Sequence, residues 1–275
     1  MVIITFLGTG GGRFATVYQV RRTGGIYLSD TANIHIDPGP GAMLAMRDAG
    51  IDPASTDLIL ISHAHPDHYA DAEVAVEGMT ACSLKRKGTV AGSFGSIFGD
   101  GDFGPVLSAY HRRIAWNAQA LRPGDALALS GMRVLATPTA HSDPSGIGFR
   151  IETSAGLVSY VSDSELDDEV VRSHAGARVL ILFVTRPLRS RVKNHLSTED
   201  AAEFASRISP EVAVLTHFGS KFIHDDIEKQ RAYVEENSGV RTIAAQDMMR
   251  LQIGRRILIK RQESNLERAS ERRTP

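Results

Sequence analysis

A histidine-rich hexapeptide after an apolar run constrains this chain more than any other feature. Residues 57–62 (DLILIS) have the continuous apolar pattern of a fully buried strand, and HAHPDH follows at once. Imidazole nitrogens and carboxylate oxygens are ligands that suit zinc. In extended backbone His63 and His65 point the same way, so both can reach one ion. Asp67 and His68 lie where a helix begins and can reach a second ion. Because only ten histidines occur in 275 residues, we interpret this segment as a metal site rather than a polar loop.

The rest of the chain reads as a mixture of strands and helices. A Ser-Thr-Glu-Asp capping pattern predicts a helix over 197–208, and a short strand is predicted over 18–22. This mixture favours a layered α/β fold with sheets inside and helices outside. Residues 81–120 lack the apolar periodicity of a core, and we interpret them as an insertion or lid. We therefore expect a single domain over 1–260, followed by a polar tail over 261–275.

Composition excludes several classes of protein. Lys and Arg total 31 and Asp and Glu total 32, so a bulk electrostatic grip on nucleic acid is not indicated. The one cysteine, Cys82, cannot form an internal disulfide. No apolar run approaches the ~18–20 residues of a membrane span, and residues 1–7 read as a strand rather than a signal peptide. We therefore expect a cytoplasmic protein without a membrane partner.

Five motifs together resemble those of the metallo-β-lactamase superfamily. The hexapeptide has the H-x-H-x-D-H pattern of that superfamily. The other four motifs occur in the order of the family: Asp37 in IDPG, His141 in TAHS, Asp163 in SYVSD and His217 in LTHF. The resemblance implies an αββα sandwich of four layers, with two mixed sheets flanked by helices. It also implies two divalent metal ions, with zinc favoured over manganese or iron.

The resemblance further implies a role for each motif residue. Three histidines would bind the first metal, a carboxylate and two histidines the second, and one carboxylate would bridge them. In that order the residues are His63, His65 and His141; Asp67, His68 and His217; and Asp163. Asp37 would accept the ring N–H of a ligating histidine. The metals would clamp a bridging hydroxide, because their charge lowers the pKa of bound water to ~7. We count Asp67 among the catalytic residues as well.

One more segment resembles the phosphodiesterase branch of the superfamily, which includes ribonuclease Z and the cyclic-phosphate phosphodiesterases. His195 in NHLSTEDAA lies between the last two motifs, and the FLGTG and THFGSKF segments match that branch too. The resemblance implies that His195 contacts the scissile phosphate and protonates the leaving oxygen, a role that suits a histidine outside both ligand sets. Diiron members commonly have glutamate where this chain has His65, so hydrolysis is favoured over reduction of oxygen or nitric oxide.

Two neighbouring features each have two interpretations. Four cations that precede His195 could bind phosphates, or they could form a solvated charged loop. These cations are Arg186, Arg189, Arg191 and Lys193. The glycines of residues 8–12 (GTGGG) could let the backbone approach a substrate closely, or they could form a simple turn.

The expected function is phosphodiester hydrolysis, in which a metal-bridging hydroxide attacks phosphorus and His195 acts as the acid. The substrate would be a small or cyclic phosphodiester, or RNA. Ribonuclease Z proteins commonly carry a long arm that grips tRNA, and this chain has none. Residues 80–120 could substitute for it, with a basic surface supplied by Lys85, Arg86, Lys87, Arg112 and Arg113. A thioester or lactone hydrolase that does not need His195 is one alternative. A catalytically idle relative that binds RNA or a protein is another. Homodimers are common in the superfamily, but the chain has no interface signature.

Overall fold

The computed structural model describes residues 1–260 of the chain. Its strands are β1 (Val2–Phe6), β2 (Ile26–Ser29), β3 (Asn33–Ile36), β4 (Leu58–Ile61), β5 (Thr89–Ser93), β6 (Asn117–Leu121), β7 (Ala126–Leu129), β8 (Met132–Pro138), β9 (Ile147–Thr153), β10 (Gly156–Val161), β11 (Val179–Arg186), β12 (Leu196–Ser197), β13 (Val212–Thr216), β14 (Thr242–Ala244), β15 (Arg250–Ile253) and β16 (Ile257–Lys260). Its helices are α1 (Gly12–Tyr18), α2 (Ala42–Ala49), α3 (Pro66–Tyr69), α4 (Ala72–Met79), α5 (Phe94–Phe98), α6 (Ala109–Ile114), α7 (Asp168–Ser173), α8 (Thr198–Ile208), α9 (Ser220–Ile223) and α10 (Ile227–Ser238).

The strands form two mixed sheets. The first sheet has the order β16-β15-β1-β2-β3-β4-β5-β6, and β3 to β6 run parallel to one another. The second sheet has the order β14-β13-β11-β10-β9-β8-β7, with β12 paired to β11. In that sheet β10, β11, β13 and β14 run parallel, whereas β7 to β10 pair antiparallel.

Apolar side chains fill the space between the sheets and the space outside each sheet. One buried cluster contains residues of both sheets, including Ile4 and Val134, and so lies between them. Strand β11 is buried on both faces: Ile181 contributes to this inner cluster, and Leu182 contributes to an outer cluster with Phe204 of α8. Each such side chain stabilises the fold by about 1.5–3 kcal/mol through burial. The predicted αββα sandwich, with helices outside two sheets, is confirmed.

The site-bearing loops follow from this topology. In the first sheet β3 and β4 are parallel. In the second sheet β10 and β13 are both parallel to β11, and β8 has the same direction as β10 because both are antiparallel to β9. Their carboxyl ends therefore meet at one edge of the sandwich, where open α/β folds place their ligands.

The predicted strand over 18–22 is wrong. Helix α1 occupies Gly12–Tyr18, and Gln19 ends it in a left-handed conformation with φ 46°. The Thr16 hydroxyl donates to the Gly12 carbonyl within the helix, and the Gly12 N–H donates to Asp67. Contacts with a distant loop thus override the β-propensity of the Val-Tyr-Gln-Val run. In contrast, the predicted capped helix is confirmed as α8, where Ser197 and Asp200 form a reciprocal capping box.

The interpretation of 81–120 as an insertion or lid needs a correction. Strands β5 and β6 lie in this segment and pair in register with β4 and with each other, so they are part of the first sheet. Their sequences, TVAGS and NAQAL, carry few large apolar residues, and the sequence pattern therefore missed them. The extent of the single domain stays a prediction, and the tail over 261–275 lies outside the described residues. None of the helices within residues 1–260 is long and apolar enough to cross a membrane.

Candidate metal centre

Histidine and aspartate side chains from both sheets meet at the shared edge. The first sheet contributes the residues that follow β4, namely His63, His65, Asp67 and His68. The second sheet contributes His141 after β8, Asp163 after β10 and His217 after β13. The structure brings together all seven metal-ligand candidates of the sequence.

The first group consists of His63, His65, His141 and Asp163, whose donor atoms all lie within 4.8 Å of one another. His65 Nδ1 lies 3.0 Å from His63 Nε2 and 3.2 Å from His141 Nε2. Asp163 Oδ2 lies 3.9 Å from His63 Nε2. Three imidazole nitrogens and one carboxylate oxygen thus converge on one point.

The second group consists of Asp67, His68, Asp163 and His217, again within 4.8 Å of one another. Asp67 Oδ2 lies 3.6 Å from His68 Nε2 and 3.3 Å from His217 Nε2. Asp163 Oδ2 lies 3.5 Å from His68 Nε2. Because Asp163 belongs to both groups, the two groups are adjacent and have one ligand candidate in common.

The donor set fits divalent cations. His68 Nε2 is buried and has no hydrogen-bond partner among the described residues, although two carboxylates surround it. Buried polar atoms normally have a partner, and an atom without one calls for a missing ligand. Nitrogen and oxygen donors in this combination suit zinc and related divalent ions.

The imidazoles of the first group are held neutral. Burial lowers the pKa of His63 well below its ordinary value, and His68 and His141 lower it further. Burial and then His141 lower the pKa of His65, and burial lowers the pKa of His141. A neutral imidazole keeps a lone pair available, which is the form that binds metal.

The carboxylates of the centre are held ionised. Burial alone would raise the pKa of Asp67, but His68 and then His217 bring it below its ordinary range. Burial likewise opposes ionisation of Asp163, and His217 and His68 outweigh it and lower that pKa. Burial lowers the pKa of His68, yet Asp67 and Asp37 outweigh it and raise that pKa well above its ordinary value. The buried carboxylates therefore favour positive charge among them, which an imidazolium or a metal ion can supply.

Asp37 holds the residues around the metal centre in place through four hydrogen bonds. Its carboxylate accepts from the backbone N–H of Ser62 (2.6 Å) and from the Ser62 hydroxyl (2.7 Å). It also accepts from His68 Nδ1 (2.9 Å) and from the Tyr160 hydroxyl (2.6 Å). The bond to His68 fixes the tautomer that leaves Nε2 facing the second group. Sequence analysis missed Tyr160. The alternation of side chains along β10 places it on the inner face of the sheet.

Asp143 ties two donor-bearing loops together, and sequence analysis missed it as well. Its carboxylate accepts from the backbone N–H of Ala64 (2.9 Å) in the hexapeptide. It also accepts from the N–H (2.9 Å) and the hydroxyl (2.8 Å) of Ser145, in the loop after His141. Asp143 is buried, so these bonds are shielded from water.

The glycines near the amino terminus approach the donors of the centre. A Cβ on Gly11 would lie 2.1 Å from Cδ2 of the His217 ring, and the Gly12 N–H donates to Asp67 Oδ2 over 2.8 Å. Asp37 and His217 have left-handed backbone, with φ 53° and 59°. A positive φ is uncommon outside glycine, although Asp and His adopt it more readily than most residues, and such conformations are concentrated at functional sites.

His195 lies where two cavities of about 460 Å³ each meet. The first cavity is lined by donors of the centre, among them His65 and Asp163, and by Gly12, Arg13, Thr16, Val17, Pro66 and Ser142. His195 Nε2 lies 4.0 Å from Asp163 Oδ2, and its Nδ1 is buried without a hydrogen-bond partner in the described part of the chain.

The four predicted phosphate-binding cations divide into two pairs. Arg191 and Lys193 line the second cavity together with His195, although Arg191 also pairs with Asp200 at 2.7 Å. Arg186 and Arg189 line neither cavity, and Arg186 Nε donates to a backbone carbonyl instead. Arg13 of α1 lines the first cavity, and sequence analysis missed it because helix α1 was not predicted.

Comparisons with known proteins agree with this geometry. A family model described as a beta-lactamase superfamily domain matches residues 32–218. The chain is similar to an uncharacterized protein of Methanocaldococcus jannaschii, with 38% identity over 247 residues that cover 89% of this chain and 92% of that protein. It is also similar to a ribonuclease Z of Mycobacterium sp. (strain KMS), with 28% identity over 247 residues that cover 79% of this chain and 84% of that enzyme. Among solved structures, the metallo-beta-lactamase fold protein YhfI from Bacillus subtilis has a TM-score of 0.74 at 17% identity, covering 90% of this chain and 98% of YhfI.

The predicted family resemblance is therefore confirmed by sequence, and the predicted fold by structure. The matched region includes Asp37, the hexapeptide and every later metal-ligand candidate. This chain belongs to the beta-lactamase superfamily and has the metallo-beta-lactamase fold, which implies divalent metal ions.

Proposed function

We propose that this chain is a metal-dependent hydrolase of phosphodiesters. One observation carries the proposal: His195 lies between the two donor groups on one side and a cavity with two basic side chains on the other. A phosphodiester bound at the metals would place its anionic oxygens and its leaving group within reach of those residues. The similarity to a ribonuclease Z supports the same reaction class.

In this proposal, two divalent ions, with zinc favoured, occupy the two groups. His63, His65 and His141 would hold the first ion; Asp67, His68 and His217 would hold the second; and Asp163 would be shared. Ions bound there supply Lewis-acid activation of water and neutralise charge on the phosphoryl group. Asp67 would be catalytic in the sense that its carboxylate orients the reacting groups while the Gly12 N–H holds it in place.

His195 would act as the general acid. Its Nε2 faces the centre, and a proton on that atom would pass to the leaving oxygen as the P–O bond breaks. The neighbouring backbone is fixed, because His141 Nδ1 donates to the Asn194 carbonyl at 2.9 Å. The same bond leaves His141 Nε2 facing the first group, so one interaction orients both a metal ligand and the loop of the acid.

Three cations would bind the phosphate oxygens. Lys193 and Arg191 approach from the second cavity, and Arg13 approaches from the first. A guanidinium can bind two phosphate oxygens at once, whereas an ammonium acts as a point charge. Substrates in this class are small or cyclic phosphodiesters and RNA.

Turnover of bis-p-nitrophenyl phosphate, with metal content measured on the same samples, tests the proposal. We expect His195→Ala to lose about 10²–10⁴-fold in kcat on a dinucleotide phosphodiester, whose leaving alkoxide needs a proton, while both ions remain bound. The loss on bis-p-nitrophenyl phosphate should be smaller, because nitrophenolate leaves without a proton. His224→Ala is the matched control, because this exposed histidine lines neither cavity and should leave turnover unchanged. Metal-loaded protein without phosphodiester turnover, or a His195→Ala variant as active as the wild type on the dinucleotide, would refute the proposal.

One observation favours a second candidate, hydrolysis of a thioester or lactone. Val17 of α1 lines the first cavity and is 75% exposed, and it could contact an acyl chain. This reaction has no need of His195. Thioester or lactone turnover that persists in His195→Ala, together with no phosphodiester turnover, would establish this candidate instead.

A further inference from the structure

Arginine and aromatic side chains pair repeatedly in one segment of the chain. Within residues 86–122, four arginine Cζ atoms lie 5.0–5.9 Å from the centroids of aromatic rings. The pairs are Arg86 with Trp116, Arg112 with Phe98, Arg113 with Tyr110, and Arg122 with Phe94. Such pairs occur roughly once per 70–80 residues, so a segment of this length would hold about half of one. We name these four pairs the aromatic–arginine strip.

Three of the four rings of the strip are exposed and contribute little to the hydrophobic core, and Phe94 is half-buried. Phe98 is 54% exposed, Tyr110 is 42% exposed and Trp116 is 66% exposed. Large apolar side chains that cluster in contact with water mark interaction sites rather than stabilise the fold. The strip therefore presents flat rings and cations together to a partner.

The strip runs along the edge strand of the first sheet toward the metal centre. Trp116 precedes β6 and Arg122 follows it, so they lie at opposite ends of a five-residue strand, about 20 Å apart. Strand β6 is parallel to β5 and β4, and His63 follows β4. The Arg122 end is thus the end nearer the centre.

Two contacts link that end to the first donor group. The Phe103 ring lies 5.7 Å from the His65 ring. The Gly95 N–H at the start of α5 donates to the Ser145 hydroxyl at 3.0 Å, and Ser145 is held by Asp143. The Phe94 and Phe98 rings of α5 lie 5.8 Å apart.

We propose that the aromatic–arginine strip binds single-stranded nucleic acid and leads it to the metal centre. Exposed rings stack on nucleobases of any sequence, and guanidinium groups bind the phosphates between them. Splayed single strands offer free base faces, whereas the bases of a duplex are already stacked. The net charge of the chain is −1, so this binding rests on the local strip rather than on overall charge. Arg112 and Arg86 already donate to backbone carbonyls, whereas the guanidinium groups of Arg113 and Arg122 are exposed. Exposed cations favour a polyanion over an apolar protein surface.

The proposal rests on the proposed function, because it names the substrate class of that site. Asp102 is exposed and precedes Phe103 in the sequence, and it indicates which part of the nucleic acid lies at this position. A carboxylate there repels phosphate, so we place a base rather than a phosphate over Phe103. Asp102→Asn should then tighten binding.

The test is binding of a fluorescein-labelled, 2′-O-methyl phosphorothioate oligouridylate of about twelve nucleotides, a length within the range of known single-strand sites. Fluorescence anisotropy is measured on the full, metal-loaded protein. We expect Phe98→Ala and Trp116→Ala each to weaken binding about tenfold, as loss of one base stack does. Arg122→Gln should reduce the slope of log K against log salt by about one. Leu44→Ala on α2, where the side chain is 58% exposed, is the matched control and should bind like the wild type.

Several results would overturn the proposal. These are no binding by the wild type, binding that both aromatic variants retain, and equal binding of inorganic polyphosphate, which has no bases. Self-association that Phe98→Ala abolishes would assign the strip to a second copy of the chain instead. Turnover of bis-p-nitrophenyl phosphate without oligonucleotide binding refutes the strip and keeps the proposed function. Oligonucleotide binding without turnover of bis-p-nitrophenyl phosphate supports the strip and refutes the proposed function.

Discussion

Substitution of Gly11 by alanine should disable the second donor group through one methyl group. The added Cβ would lie 2.1 Å from Cδ2, 2.2 Å from Nε2 and 2.3 Å from Cε1 of His217, whereas ordinary contact begins at 3.4 Å. The ring would have to retreat by about 1 Å. Phe183 is stacked against the His217 ring at a centroid distance of 4.5 Å and blocks that retreat. The Gly11 loop cannot yield easily either, because its N–H donates to the Phe218 carbonyl.

A misplacement of about 1 Å at a reacting centre costs roughly 10²-fold in rate, and we expect a loss of that order for Gly11→Ala. The backbone of Gly11 is extended, with φ −160°, so alanine adds no backbone strain there. Gly254→Ala, between β15 and β16, is the matched control. Its backbone is outside the left-handed region, and its Cβ would meet only the Arg256 carbonyl oxygen at 3.9 Å.

The assay combines metal stoichiometry, urea unfolding and turnover of bis-p-nitrophenyl phosphate. Gly11→Ala should bind about one ion fewer or bind it far more weakly, whereas Gly254→Ala should keep its stability and its metal content. A Gly11→Ala protein that retains two tightly bound ions and wild-type turnover would show that the close approach of Gly11 to His217 has no functional weight.

Three further predictions follow from buried polar groups. Tyr160→Phe removes one hydrogen bond from the buried carboxylate of Asp37. Metal titration should show an affinity for the metal ion about 10–100-fold weaker, and unchanged affinity would contradict the prediction. Asp143→Ala leaves the Ala64 N–H and two other donors without an acceptor, and urea unfolding should show about 2–5 kcal/mol less stability; a loss below about 1 kcal/mol would contradict the prediction. Burial, and then the charge of Arg150, lower the pKa of His174 to about 3, so the unfolded chain binds the proton first and stability falls as pH drops below about 6.5. Between pH 7.5 and 5 the wild type should therefore lose about 2 kcal/mol more than His174→Gln, and parallel losses in the two proteins would exclude this cause.

The donors of the candidate site could be predicted from sequence because each follows a strand. A buried apolar run before His63 or His217 is readable, and such strands end at a common edge of an α/β sandwich. Residues that act through shape could not be predicted in this way. The need for glycine at position 11 depends on a histidine more than two hundred residues later, and no local pattern reveals it.

The fold was predictable where hydrophobic patterning was strong, and it was missed where tertiary contacts decide. Strands β5 and β6 contribute few large side chains, since they complete a sheet whose core is supplied by their neighbours. Helix α1 has the residue types of a strand, but its first N–H is held by Asp67. Arg13, which this helix carries to the cavity, was missed for the same reason.

The division of the donors between the two sheets couples metal supply to the persistence of the folded chain. An ion held by His63 of the first sheet and His141 of the second cross-links the open end of the sandwich, and the unfolded chain has no such site. Free metal at about a hundred times its dissociation constant would then add about 2.7 kcal/mol of stability for each site. That is a substantial share of the ~5–15 kcal/mol that holds a typical domain together. Metal starvation in a cell would therefore lower the amount of this protein through proteolysis, in addition to its rate per molecule.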